Sequence, residues 1–209
     1  ETGIFKLQNS FGFNGLYNTA ISNINNPNII LLDNSTVEYA GTNQIITPIT
    51  TSSYKNVKLS GSGIKQLGDP TNINIDENLS ITAGSLNIAS GEVITVNNRL
   101  LITGGTMTIE DSGSIVQINE TDTNIGNISM KRNAFIKAYD YIYWSSPISN
   151  FNTNELFQNP SNHIYYWDTL ANNIPYGGTG QGNWIDATNQ TMLAGKGYIA
   201  RGPNYNEIT

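Results

Sequence analysis

Ile73-Asn74-Ile75, Leu79-Ser80-Ile81, Leu86-Asn87-Ile88, Ile94-Thr95-Val96, Leu100-Leu101-Ile102, Met107-Thr108-Ile109, Val116-Gln117-Ile118 and Ile128-Ser129-Met130 are eight short segments, most of them two apolar residues flanking one other position. That alternation is the mark of a strand with one buried face. The spacing between segments decides how the strands are joined. Ile73 to Ile94, Leu79 to Leu100, Leu86 to Met107 and Met107 to Ile128 are each 21 residues apart, and Ile94 to Val116 is 22. Gly84, Gly105 and Gly126 keep the same step of 21. Three strands per repeat predict three sheet faces, so the chain reads as a parallel β-helix of about 21 residues per coil, right-handed by the crossover rule. A hairpin meander supplies no reason for triplet periodicity.

Working outward, the pattern loosens. Val57-Lys58-Leu59 lies 22 residues before Leu79, Ile64 lies 22 before Leu86, and Val37-Glu38-Tyr39 lies 20 before Val57, with an insertion expected near residues 47–54. Residues 29–130 are therefore assigned to the helix, and 1–28 to an N-terminal cap or the remnant of preceding coils. The repeat stops near 130, and Trp144, Trp167, Trp184 and most tyrosines follow. Residues 131–209 are expected to form a small, aromatic-rich, β-sandwich-like module. Because the chain stops shortly after a strand signal, this module is expected to be incomplete and the chain part of a longer one.

Composition agrees with an all-β chain. Only 12% of residues are charged, and the polar surface is Asn, Thr and Ser, which compete with helical backbone. A net charge of −6 with ten scattered basic residues argues against nucleic acid as a partner. No apolar run is long enough for a spanning helix, so no membrane insertion is expected. The absence of cysteine removes disulfides, thiolate metal sites and cysteine nucleophiles.

Four strings carry a resemblance: Ser114-Ile115-Val116-Gln117-Ile118-Asn119, Gly126-Asn127-Ile128-Ser129-Met130-Lys131-Arg132-Asn133, Tyr139-Asp140-Tyr141-Ile142-Tyr143-Trp144-Ser145-Ser146-Pro147-Ile148 and Gly195-Lys196-Gly197-Tyr198-Ile199-Ala200-Arg201. In this order they resemble a module of large secreted surface proteins from Flavobacterium and related Bacteroidetes. The resemblance implies a β-helical stalk, export by the type IX secretion route and a location outside the cell or on its surface. It implies no catalytic residue. Asp168-Thr169-Leu170 is also similar to the acceptor used for O-glycosylation of exported proteins in this group, which points to Thr169.

Three site readings follow from the residues themselves. Coil stacking aligns Asp76-Glu77, Asn97-Asn98 and Asn119-Glu120 at one corner beside Arg99. Asp76, Glu77 and Glu120 form a candidate calcium corner, against the plainer reading of a solvated turn with asparagine ladders. The same acidic residues with Arg99 suit a polysaccharide lyase or hydrolase only if long loops wall a groove, and the turns here are short. Tyr141, Tyr143, Trp144, Trp167, Trp184 and Tyr198 are candidates for an aromatic platform that binds sugar rings, against the reading that they are the module's core. The sequence thus favours a non-enzymatic, exported bacterial adhesin or structural stalk, contacting surface glycans or other cell-surface proteins. A carbohydrate-binding module and a polysaccharide-degrading fragment are the alternatives.

Overall fold

Apolar residues at every second position line up 21 residues apart, and the computed structural model shows what that alignment builds. It describes residues 3–49, 51–68, 72–119, 121–137, 139–148, 150–156, 163–172 and 181–202. The chain divides into two compact units, Glu1–Arg132 and Asn133–Thr209.

The first unit is a parallel β-solenoid of about four turns with three faces. Face one stacks Ile4–Leu7, Thr36–Tyr39, Asn56–Leu59, Leu79–Ile81 and Leu100–Ile102. Face two stacks Gln44–Ile46, Ile64–Leu67, Ser85–Ile88, Thr106–Ile109 and Ser129–Met130. Face three stacks Asn72–Ile75, Val93–Val96 and Ser114–Gln117, and Tyr54 bridges to Ile75 below them. Every pair between neighbouring coils is parallel, as in Ile94 on Ile73 and Leu100 on Leu79. Inward residues such as Leu59, Leu79, Ile81, Leu86, Ile88 and Ile94 are wholly buried, each contributing about 1.5–3 kcal/mol of transfer free energy. A coil alone has no partner for those side chains, so the stack is held by its neighbours.

Two positions differ from the sequence reading. Ile115, not Val116, lies on Ile94, and Val116 and Ile118 are exposed. The run Ile115-Val116-Gln117-Ile118 offers two phases, and the step of 21 wins over the step of 22. This phase places Gln117 on Val96 at the last coil of face three, where its amide closes the stack. Gln117 Nε2 donates to the Asn98 carbonyl at 2.5 Å and the Asn119 carbonyl at 3.1 Å, and Asn124 Nδ2 donates to Gln117 Oε1 at 2.6 Å. Likewise Ile64 is not the inward residue under Leu86. It is 50% exposed, and Lys65 takes the inward place at 0% exposure.

Most of the polar groups inside and along the stack are paired, Ser35 Oγ and Asn87 Oδ1 being buried exceptions. Tyr39 and Tyr54 join hydroxyls at 2.8 Å, and Tyr54 donates to the Thr47 carbonyl. Burial pushes Tyr39 up to about 12 and Tyr54 well above 10, so both stay protonated donors. On face one, Lys6, Glu38 and Lys58 stand in one cross-strand row. Glu38 accepts from Ser60 Oγ and lies 3.5 Å from Lys6 Nζ and 3.6 Å from Lys58 Nζ.

The Ser60 hydroxyl first, then Lys58 and Lys6, hold the Glu38 carboxyl below 4.5 against the upward push of burial. A depressed folded value means that the carboxylate stabilises the fold above its unfolded titration and ceases to as pH falls through the folded value. Glu38→Gln should therefore cost on the order of 1 kcal/mol at neutral pH, with the difference from the parent vanishing in acid. Urea midpoints measured from neutral pH down to about pH 3 would check this. An equal loss at all pH values would show that charge plays no part.

Candidate functional site

The second unit builds its sheet from aromatic strands, and alternation sorts their side chains into two sets. Four antiparallel strands run in the order Tyr141–Trp144, Tyr198–Arg201, Ile164–Asp168 and Asn183–Asp186. Among the described residues this is the unit's one sheet. One side carries Ile142 and Ile164 opposite Ala200, and Trp144 opposite Tyr198. Ile164, Ala187, Met192, Tyr198 and Ala200 are buried there, with Trp144, Phe151 and Tyr166 packed against them. The Thr153 hydroxyl, also buried, ties the short 3-10 turn Thr153–Glu155 to this side by donating to the Ala187 carbonyl at 2.8 Å.

The other side faces solvent, and five of its eight strand positions are aromatic. Tyr143, Ile199, Tyr165 and Asp186 form one row across all four strands. Trp167 pairs with Trp184, and Tyr141 with Arg201, on the same side. Tyr143 is 77% exposed, and Tyr141, Trp167 and Trp184 are exposed as well. The platform is ordered by its own contacts. The indoles of Trp167 and Trp184 meet edge to face at 5.3 Å, and Tyr141 and Tyr165 lie 6.4 Å apart. Gly182, at φ +80°, lets the chain press against the Trp167 ring, and a Cβ there would overlap the indole. Tyr139 adopts φ +72°, an uncommon backbone for an aromatic residue, with the Arg201 guanidinium carbon 5.3 Å from its ring centre.

Of the six residues proposed as one platform, the structure brings together Tyr141, Tyr143, Trp167 and Trp184. Trp144 and Tyr198 lie on the opposite side, because they pair with each other one position out of phase with the exposed row. Tyr198 is 3% exposed, and its hydroxyl accepts from the Leu193 amide at 2.9 Å. Tyr165, Arg201 and Gly182 join the site only through strand pairing, which spans up to 60 residues of chain and leaves no local signal.

Asp76-Glu77, Asn97-Asn98 and Asn119 stack at one corner as the register requires, but the carboxylates of Asp76 and Glu77 are engaged. The Asn98 amide donates to the Glu77 carbonyl at 2.9 Å, and the Asn119 amide to the Asn97 carbonyl at 2.7 Å. Asp76 accepts from Ser53 Oγ at 2.7 Å and pairs with Lys55 at 2.8 Å, and the Lys55 hydrogen bond holds its carboxyl below the usual range. Glu77 accepts from the Asn34 amide at 2.8 Å and from Asn56 Nδ2. Glu120 lies outside the described residues. Among the described residues no three His, Cys, Asp or Glu side chains stand close enough to share a metal ion. Asn78 Nδ2 donates to Asn56 Oδ1 at 2.9 Å, so an asparagine ladder runs along this corner.

Thr169 sits exposed in the turn after Ile164–Asp168, where the Leu170 amide donates to Asp168 Oδ1 at 2.9 Å. At the last coil of the solenoid, residues 102–108 and 126–129 line an open depression with no acid, base or histidine in its wall.

A profile described as "Domain of unknown function (DUF8693)" matches residues 36–209. No curated protein and no solved structure matches the chain.

Proposed function

The chain belongs to the DUF8693 family, and from that premise we propose that it is a non-enzymatic, exported bacterial surface protein in which the solenoid serves as a spacer and the C-terminal unit as an adhesive contact. The contact surface is the solvent face bearing Tyr141, Tyr143, Tyr165, Trp167 and Trp184, and its ligands are surface glycans. One observation carries this reading: a sheet too small to spare apolar residues leaves its largest rings outside. Fixed indole and phenol rings offer flat faces to the C–H surfaces of pyranoses at small entropic cost. Asp186 and Arg201 at the margins supply hydrogen bonds to hydroxyls. We read the exposed sheet as one layer of a sandwich-like module and the solenoid as right-handed.

Export by the type IX route rests on the resemblance of the Tyr139–Ile148 and Gly195–Arg201 strings to secreted flavobacterial proteins. Calcium has no part in the proposal, since Asp76 and Glu77 already have partners.

A glycan array probed with the parent protein should show selective binding. Tyr143→Ala and Trp184→Ala should each weaken the best ligand about tenfold, equivalent to ~1.4 kcal/mol, with the thermal midpoint little changed. No glycan binding by the parent, or undiminished binding by the double variant, would remove the lectin assignment.

A further inference from the structure

The sequence step of 21 runs through Gln44, Lys65, Leu86, Met107 and Ile128, and strand pairing places Lys65 on Gln44 and Leu86 on Lys65. A lysine thus occupies a core row of the solenoid at 0% exposure. No carboxylate pairs with it among the described residues. Its amine instead meets four backbone carbonyls: Gly41 O at 2.8 Å, Thr42 O at 2.8 Å, Gly61 O at 3.1 Å and Ser62 O at 2.7 Å. The carbonyls come in two pairs from turns of successive coils, which stack close because Gly61 has no Cβ to overlap the Gly41 carbonyl.

The chemistry of this cage is that of a cation site. Burial alone pushes the Lys65 pKa down. Four carbonyls act the other way, since each offers lone pairs and none a proton. A neutral amine has two N–H donors and would turn its own lone pair toward an acceptor, whereas the ammonium has three donors and a full charge. Convergent carbonyl oxygens are also how proteins replace the hydration shell of potassium, an ion close to ammonium in size. We propose that the carbonyls of Gly41, Thr42, Gly61 and Ser62 form a binding site for monovalent cations of potassium or ammonium size, and that in this chain Lys65 fills it with a tethered cation. The amine fastens two coil turns to each other and frees their stacking from any dissolved ion. This inference stands independently of the glycan reading.

Lys65→Ala keeps the cage and removes its occupant. Its thermal midpoint should rise by about 3–5 °C in potassium chloride or n-propylammonium chloride over tetramethylammonium chloride at equal ionic strength. Lys65→Met, whose apolar stem fills the channel without a charge, should be destabilised and show no such preference. Equal midpoints for Lys65→Ala in the three salts would overturn the proposal. Should Lys65→Ala fold in none of them, amine acylation of the native protein followed by peptide mass spectrometry decides. Lys65 should react at least about a hundredfold more slowly than the half-exposed Lys58, because its amine is reached only by opening the coil. Comparable rates at Lys58 and Lys65 would show that the cage is not formed.

Discussion

Gly105→Ala is expected to destabilise the solenoid by about 4 kcal/mol, among the largest effects open to a single methyl group. Two terms add at this position. Gly105 sits at φ +87°, where an L-residue is strained by about 1–2 kcal/mol. The added Cβ would also overlap the Gly84 carbonyl oxygen and lie 2.9 Å from the Ala83 carbonyl carbon. Neither atom belongs to a side chain that could turn away. Gly84 is the equivalent residue one coil below, and Gly63 and Gly126 continue the row at the same step with positive φ. Relief of the overlap therefore requires two coils to part, which breaks the ladder between Ser85–Ile88 and Thr106–Ile109. Gly91 provides the control. Its φ is +78°, yet a Cβ there meets nothing within 4 Å. Gly91→Ala should lose only the conformational share, about 1 kcal/mol. Denaturant midpoints of the two variants check the contrast, and equal losses would mean that the stacked corner is not close-packed.

The row Gly84, Gly105 and Gly126 was legible in the sequence, and so were the rows through Ile73 and Ile94, Leu79 and Leu100, and Leu86 and Met107. Each repeats at one interval, and the interval follows from a closed coil of three strands. Legibility failed where hydrophobicity and periodicity disagree. Ile64 looks like the core residue and Lys65 like the surface one, but 65 is the position 21 residues before Leu86. Backbone carbonyls make the lysine tolerable, and no residue type announces them. At 115–118 the apolar pattern favours Val116 and Ile118 as the inward pair, whereas the step of 21 sets Ile115 and Gln117 there. The Gln117 amide, hydrogen-bonded at the last coil, makes a polar residue acceptable in the inward row.

The aromatic unit divides in the same manner. Alternation within 141–144 separates Tyr141 and Tyr143 from Ile142 and Trp144 without any further knowledge. Which side is covered depends on Ile164, Met192 and Ala200, residues brought together by antiparallel pairing across the chain. Trp167 and Trp184 become neighbours for the same reason. The corner at Asp76 and Glu77 shows the complementary limit. Stacking was readable, but the partners that occupy the carboxylates, Lys55, Ser53, Asn34 and Asn56, sit in the preceding coils, where the repeat is least regular.

A chain without cysteine allows the stack to be measured one pair at a time. Thr95 on face three lies beside Val116 of the next coil, with Gln117 one position further along. Neighbouring strands stand about 4.8 Å apart, within the Cα separation a disulfide accepts. Thr95→Cys with Val116→Cys should therefore oxidise to an intrachain disulfide in nearly all molecules, detected by mass and by mobility without reductant. Thr95→Cys with Gln117→Cys should remain largely reduced, because residue 117 follows the inward row. Closure of the second pair in preference to the first would contradict the register, and closure of neither would contradict the parallel three-faced coil itself.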